Sequence, residues 1–276
     1  MPISTIGCVP AESPWVSIRA SRPYAAVRLF CFPYAGGSPL SYRAWSGMLP
    51  ATYEVCSIRL PGRESRLLEA PFTRLDPLVE SLTEAILPYL DRQFVFFGHS
   101  MGARIAFELS RSLSQRAGLE PAHLIVSGSP APQVPRTDRT IYDLPEAELI
   151  EELRILDGTP EEVLQHPELM QLMMPLLRAD LELVQTYFYK PGLRLGCPIT
   201  AFGGTKDLKI SEENLEAWRK ETTGSFALRM VEGGHFFVNT ARPQLLDMIS
   251  RQLQMISAGN TNLLHQPRID KCQQVL

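Results

Sequence analysis

The pentapeptide Gly98-His99-Ser100-Met101-Gly102 constrains this chain more than any other stretch. An apolar run, Phe94-Val95-Phe96-Phe97, leads into it. Apolar residues at helical spacing, Ala103, Ile105, Ala106 and Leu109, follow it. Strand, G-x-S-x-G, helix is the context in which a serine sits on a sharp turn, its hydroxyl lifted clear of a sheet. Glycine on both sides suits a place where strand and helix pass too close for a side chain.

The remaining chain alternates in the same manner. Val27 to Phe32, Tyr53 to Arg59, His123 to Ser127, Pro198 to Phe202 and Phe226 to Val231 read as short apolar strands. Between them, Leu78, Val79, Leu82, Ile86 and Leu87 recur at helical spacing within Leu75 to Leu90. This pattern predicts an α/β fold, a mostly parallel sheet with helices on both faces.

Pro130 to Pro191 breaks the alternation. It holds no good strand and reads as helices over Leu144 to Leu156, after Pro160, and over Pro167 to Tyr189. A helical lid insertion at about 130–191 is the expectation. Its Met170, Met173 and Met174 are read two ways: as packing residues, or as flexible pocket lining for varied acyl chains. Asp180, inside the last of these helices, is either on a solvated face or a lid-closure contact. The main domain is placed at 23–257, residues 1–22 form a loosely attached arm with Trp15 as its large anchor, and the polar, aperiodic stretch 258–276 predicts a disordered tail.

Composition removes several function classes. A net charge of −3 with scattered basic residues gives no stripe for nucleic acid. Arg59, Arg63 and Arg66 cluster after one strand and read as a solvated or salt-bridged loop in preference to a contact for an acidic partner. No apolar run approaches the roughly 20 residues of a membrane span. Pro10 and Pro14 interrupt what a signal peptide would need. The five cysteines are far apart and form no C-x-x-C pair, so reduced thiols in a cytoplasmic protein are expected.

A serine hydroxyl needs a base to take its proton, usually a histidine oriented by a carboxylate. In the α/β-hydrolase chain order the acid and then the histidine follow the serine, each after a late strand. His235 follows the last strand in Glu232-Gly233-Gly234-His235. His99 would point away from Ser100, and His123, His166 and His265 sit in a strand start, the lid and the tail. Asp207, in Gly203-Gly204-Thr205-Lys206-Asp207 after the preceding strand, is the acid; Glu212 and Glu213 are better placed in a helix first turn. Two backbone N–H groups should hold the oxyanion: that of Met101, after the nucleophile, and that of Ala35, in the loop after the first strand.

Several separated motifs together resemble one family. They are Phe32-Pro33-Tyr34-Ala35-Gly36-Gly37, Trp45, Leu60-Pro61-Gly62-Arg63-Glu64 with Arg66, and Gly98-His99-Ser100-Met101-Gly102-Ala103 with Ala106-Phe107-Glu108. Leu177-Arg178-Ala179-Asp180 ahead of Tyr187, and Gly233-Gly234-His235-Phe236, continue the likeness. Over about Val27 to Leu253 the chain resembles the type II thioesterases, the stand-alone editing enzymes of polyketide and non-ribosomal peptide synthesis. The resemblance implies an α/β-hydrolase fold with a helical lid. It implies hydrolysis of acyl or aminoacyl thioesters from the phosphopantetheine arm of carrier proteins, with Ser100, Asp207 and His235 as triad. Met101 and Ala35 match its oxyanion positions. No metal or cofactor is implied, and a monomer is expected. The chain has no Asp-Ser pair, hence no carrier motif, so an acyl or peptidyl carrier protein must act in trans. The competing readings are a releasing thioesterase or acyltransferase, a general carboxylesterase, and a non-catalytic binding scaffold on the same fold.

Overall fold

A computed structural model describes residues 13–263, except 157, 159 and 160. Within them one sheet is built from β1 (Val16–Ser17), β2 (Val27–Phe32), β3 (Tyr53–Ile58), β4 (Gln93–His99), β5 (His123–Ser127), β6 (Ile199–Gly204) and β7 (Phe226–Val231). Their order across the sheet is β1-β3-β2-β4-β5-β6-β7. Every neighbouring pair is parallel except β1 with β3. The α-helices are α1 (Trp45–Met48), α2 (Leu75–Ile86), α3 (Met101–Ala117), α4 (Glu146–Leu156), α5 (Glu161–Leu164), α6 (Pro167–Gln185), α7 (Glu212–Glu216), α8 (Phe237–Thr240) and α9 (Arg242–Leu263). This is the α/β-hydrolase architecture expected of the sequence.

The central strands read as unbroken apolar runs because both their faces are covered. All of β2 and β3 is buried, as is β4 after Gln93. On one face Phe30, Phe32 and Phe96 pack with Leu78 and Leu82 of α2 and Ile105 and Leu109 of α3. On the other, Leu29, Val95 and Phe97 meet Trp45 and the α9 residues Leu245, Ile249 and Leu253. Phe97 and Trp45 meet at a tilt of 58°, with ring centroids 4.7 Å apart. Losing such an aromatic from a closed core costs about 3–5 kcal/mol. α3 stops at Gly118, whose left-handed φ of 63° lets its N–H reach the carbonyls of Leu113 and Ser114.

Register fixes where a site can form. Gly98 lies beside Phe32 on one side and Val126 on the other. The loops leaving β2, β4 and β5 therefore converge at the carboxyl edge, where open α/β sheets hold their ligands.

Three expectations are corrected. Residues 1–22 are not all a loose arm. Val16 and Ser17 pair antiparallel with Ile58 and Ser57, extending the sheet by a strand too short to show a period. Trp15 sits under the Arg66 guanidinium at 4.0 Å, and Arg22 donates to the carbonyls of Ser46, Leu49, Pro50 and Tyr53. The main domain thus starts before residue 23; residues 1–12 lie outside the described residues. The tail expected from residue 258 does not begin there. α9 continues to Leu263, because extending an established helix adds a hydrogen bond for each residue fixed; residues 264–276 lie outside the described residues. Finally, the last insertion helix ends at Gln185, not Tyr189.

Between β5 and β6 the described residues hold α4, α5 and α6 and no named strand. These helices carry an apolar cluster of their own, with Leu149, Leu153, Leu164, Met170, Met174, Leu177 and Leu181. Cys31, Cys56 and Cys197 are free and buried. Burial pushes their thiols up, that of Cys197 to about 12, so they stay protonated and inert. Cys8 and Cys272 lie outside the described residues. No helix among the described residues is long and apolar enough to cross a membrane.

Candidate active site

Ser100 occupies the turn between β4 and α3 with φ 52° and ψ −114°. A serine in that region costs about 1–3 kcal/mol, which the surroundings must impose. They do so by close contact. A Cβ on Gly98 would stand 2.1 Å from the Gly102 carbonyl oxygen, and one on Gly102 would stand 2.3 Å from that of Phe32. The Ser100 N–H donates to the Ser127 carbonyl at 2.7 Å, tying the turn to the end of β5.

Asp207 follows β6 and His235 follows β7. The β6 and β7 loops are themselves laced together: the N–H of Thr205 donates to Val231 O and that of Lys206 to Gly233 O. His235 Nδ1 and Asp207 Oδ2 are 2.7 Å apart. Asp207 Oδ1 accepts from the N–H groups of Lys209 at 3.0 Å and Ile210 at 3.2 Å. Burial alone would raise this carboxyl. The bond to His235, its charge and the two amides outweigh burial and hold the group below the usual carboxylate range. An ionised Asp207 fixes the proton on Nδ1 and leaves Nε2 as the basic nitrogen.

Ser100, His235 and Ala35 line one cavity of about 290 Å³, together with the insertion residues Leu153, Leu156, Leu177 and Leu181. Ser100 and His235 thus share one chamber, and Asp207 stands behind His235, outside the lining. The hydrogen bond between Ser100 Oγ and the imidazole is not closed among the described residues, whereas that between His235 and Asp207 is.

The two expected oxyanion donors are left free by their neighbours. The N–H of Gly36 donates to Asp180 Oδ2 at 2.8 Å and that of Gly37 to Tyr34 O at 2.8 Å. The N–H of Ala103 donates to Ser100 O at 3.1 Å. Among the described residues the N–H groups of Ala35 and Met101 have no acceptor. Met101 opens α3, where such N–H groups are unsatisfied by the helix itself.

A family model described as a thioesterase domain matches residues 27–253. The chain belongs to the thioesterase family. It is 45% identical over 234 residues to the gramicidin S biosynthesis protein GrsT of Aneurinibacillus migulanus, covering 85% of this chain and 91% of that one. It is 38% identical over 240 residues to the thioesterase PikA5 of Streptomyces venezuelae, covering 87% and 85%. Among solved structures, the type II thioesterase BorB from the borrelidin biosynthetic cluster superposes with a TM-score of 0.81 at 36% identity, covering 89% of this chain and all 100% of that one.

In this thioesterase, other expected site residues lie elsewhere. Met170 and Met174 are buried in the insertion's own cluster, with Met173 packed against it, and none of the three lines the cavity. The pocket reading of these methionines is corrected: their thioethers fill gaps between α4, α5 and α6. Asp180 does not line the cavity either, and it is not on a solvated face. It is 1% exposed, and its Oδ1 accepts from Arg63 Nη2 at 2.8 Å while Oδ2 holds Gly36. Arg63 also donates to the Gly37 carbonyl at 2.7 Å. Asp180 is therefore a contact that closes α6 onto the loop carrying Ala35. Of the three arginines read as a solvated or salt-bridged loop, Arg63 and Arg66 are buried, and all three have carboxylate partners.

His99, next to the nucleophile in sequence, turns inward, a role that its own sequence surroundings do not signal. It is fully buried with Nδ1 3.0 Å from Ser127 Oγ, and its ring lies 5.2 Å from that of His235. Burial, helped by the proximity of His235, holds it neutral, well below the usual histidine range. It buttresses the His235 loop from behind. Among the described residues no group of three His, Cys, Asp or Glu side chains is arranged to hold a metal ion.

Proposed function

We propose that this enzyme is a type II editing thioesterase. It removes acyl or aminoacyl groups from the phosphopantetheine arm of carrier proteins that serve polyketide or non-ribosomal peptide synthesis and act in trans. The single observation that carries the chemistry is the 2.7 Å contact of His235 with Asp207, in a chamber shared with the strained Ser100.

Substrate entry brings Ser100 Oγ within reach of His235 Nε2, which accepts its proton as Oγ bonds to the thioester carbonyl carbon. The N–H groups of Met101 and Ala35 hold the oxyanion, which develops only in the transition state. The C–S bond breaks, and the imidazolium returns its proton to the departing thiolate. Water, deprotonated by the same imidazole, then adds to the acyl-serine, and the carboxylic acid leaves with Ser100 restored. The scheme draws on no metal and no organic cofactor; the pantetheine arm belongs to the substrate. The insertion serves as lid, and the enzyme works as a cytoplasmic monomer.

The test is a panel of acylated carrier proteins, each matched to the simple oxygen ester of the same acid, offered to wild type and Ser100→Ala. Short acyl units cleaved from carriers by wild type alone support the reading. A wide preference for the free ester makes the protein a carboxylesterase, and transfer of the acyl group to an alcohol or internal nucleophile makes it a releasing enzyme. Turnover surviving in Ser100→Ala overturns the mechanism.

A further inference from the structure

Five arginines are buried among the described residues: Arg28, Arg63, Arg66, Arg104 and Arg111. Four are neutralised. Arg28 meets Glu54 at 2.7 Å, Arg63 meets Asp180 at 2.8 Å, Arg66 meets Glu69 at 2.6 Å and Arg111 meets Glu108 at 3.3 Å. Arg104 is 9% exposed and has neither ion pair nor hydrogen bond among the described residues. Its guanidinium carbon lies 5.1 Å from the centre of the Tyr187 ring. The Tyr187 hydroxyl is already spent on Glu108 Oε1 at 2.6 Å.

This cation, with no counter-charge among the described residues, lines the cavity that holds Ser100. The other charged groups of the chamber do not answer it. Glu152 is taken by Arg139 at 3.1 Å and Lys209 at 3.9 Å, and Asp138 stands exposed. Arg136, a second lining cation, has among the described residues only Thr140 Oγ1 at 3.3 Å. An arginine keeps its charge even when buried, and an uncompensated buried charge is strongly unfavourable. A fold that retains one inside its reaction chamber has left the counter-charge to be supplied by what enters.

Position tells which part of the substrate supplies it. Arg104 stands four residues beyond Ser100, just over one turn of α3 and about 6 Å along the helix axis. A few carbons of acyl chain span that distance. The phosphate of the pantetheine arm is at the opposite end of the substrate, next to the carrier, and a side chain buried beside the nucleophile does not meet it. Guanidinium pairs best with a carboxylate, through two parallel hydrogen bonds.

Resting on the thioesterase reading above, we propose that Arg104 is a specificity-determining residue that binds a carboxylate on the acyl chain. The preferred substrates are then short dicarboxylyl thioesters, from malonyl to glutaryl.

The experiment compares succinyl with 4-methylpentanoyl, and glutaryl with 5-methylhexanoyl, on the same carrier protein. In each pair a branched neutral end copies the shape of the carboxylate. The readout is the ratio of kcat/KM within a pair, from thiol release, for wild type, Arg104→Met, Arg104→Lys and Arg104→Glu. The ratio is internal to each variant, so a misfolded fraction cancels. Wild type should favour the dicarboxylyl member by about tenfold or more, the size of one charge-assisted hydrogen bond. Arg104→Met should erase that preference, Arg104→Lys keep part of it and Arg104→Glu invert it. Ratios near one in wild type, with both members hydrolysed, would overturn this inference and leave the thioesterase reading standing, as would a preference unchanged in Arg104→Met. Failure to hydrolyse any carrier thioester would remove both.

Discussion

Replacing Asp180 by alanine should damage stability and catalysis by separable routes. The substitution deletes the acceptor of the Gly36 N–H and leaves the Arg63 guanidinium, 4% exposed, without its carboxylate. Breaking one side of a buried ion pair costs about 3–5 kcal/mol. At about 2–4 °C per kcal/mol for a domain of this size, the melting temperature should fall by about 6–20 °C. Gly36 adjoins Ala35, so the loop that presents the second oxyanion donor loses its anchor to α6. A fully misplaced donor lowers kcat by about 10²–10³, which bounds the catalytic loss from above. The double variant Arg63→Met with Asp180→Leu separates the effects. Apolar replacements of a whole buried pair are often neutral in stability, so most of the lost melting temperature should return. The turnover should not, because Gly36 still lacks its acceptor. Melting by circular dichroism and carrier-thioester hydrolysis read the two effects. A melting temperature for Asp180→Ala within about 2 °C of wild type, less than 1 kcal/mol at this size, would refute the pairing argument. Full activity in the double variant would refute the link to the oxyanion loop.

Other substitutions test the elbow and the acid. Ser100→Ala should abolish turnover, whereas Ser100→Gly should be equally inactive yet melt higher than Ser100→Ala, since glycine adopts φ 52° without the about 1–3 kcal/mol of strain. Gly98→Ala should fail to fold or lose its cooperative melt, because its Cβ would stand 2.1 Å from backbone that cannot yield. Asp207 has a carboxyl held below its unfolded value, so its stabilising contribution is present above about pH 4 and lost as pH falls through the lower folded value. The melting temperatures of wild type and Asp207→Asn should therefore differ near neutrality and converge toward acid pH; a gap that widens below pH 4 would contradict the sign.

The sheet and the positions of Asp207 and His235 in loops that end it are legible because each leaves a local signal. Val27–Phe32, His123–Ser127 and Phe226–Val231 are apolar runs closed by turn residues, and their ends agree with the structure. Chain order alone points to Asp207 and His235, each in the loop after a late strand. What escaped depends on partners distant in sequence. Asp180 and Arg63 are 117 positions apart, and neither carries a mark of the other. A clue existed: Leu177, Asp180, Leu181 and Val184 share one helical face, and an acid on an otherwise apolar face asks for a buried counter-charge. β1 escaped because two residues have no period. The methionines were ambiguous because a gap-filling thioether and a pocket-lining one have the same composition, and only the cavity's position separates them. Arg104 looks from sequence like any helix-surface charge, and its burial arises from the insertion folding over α3.

The insertion keeps an apolar nucleus separate from the two that flank the sheet. Residues such as Leu149 and Leu164 can change in concert, and the space above Ser100 be remoulded, while the elbow's glycine contacts stay untouched. Part of the chamber's roof can thus be repacked apart from the nucleophile turn, whereas Asp180, which ties α6 to the loop of Ala35, and Arg104, on α3 itself, bind roof and chemistry together.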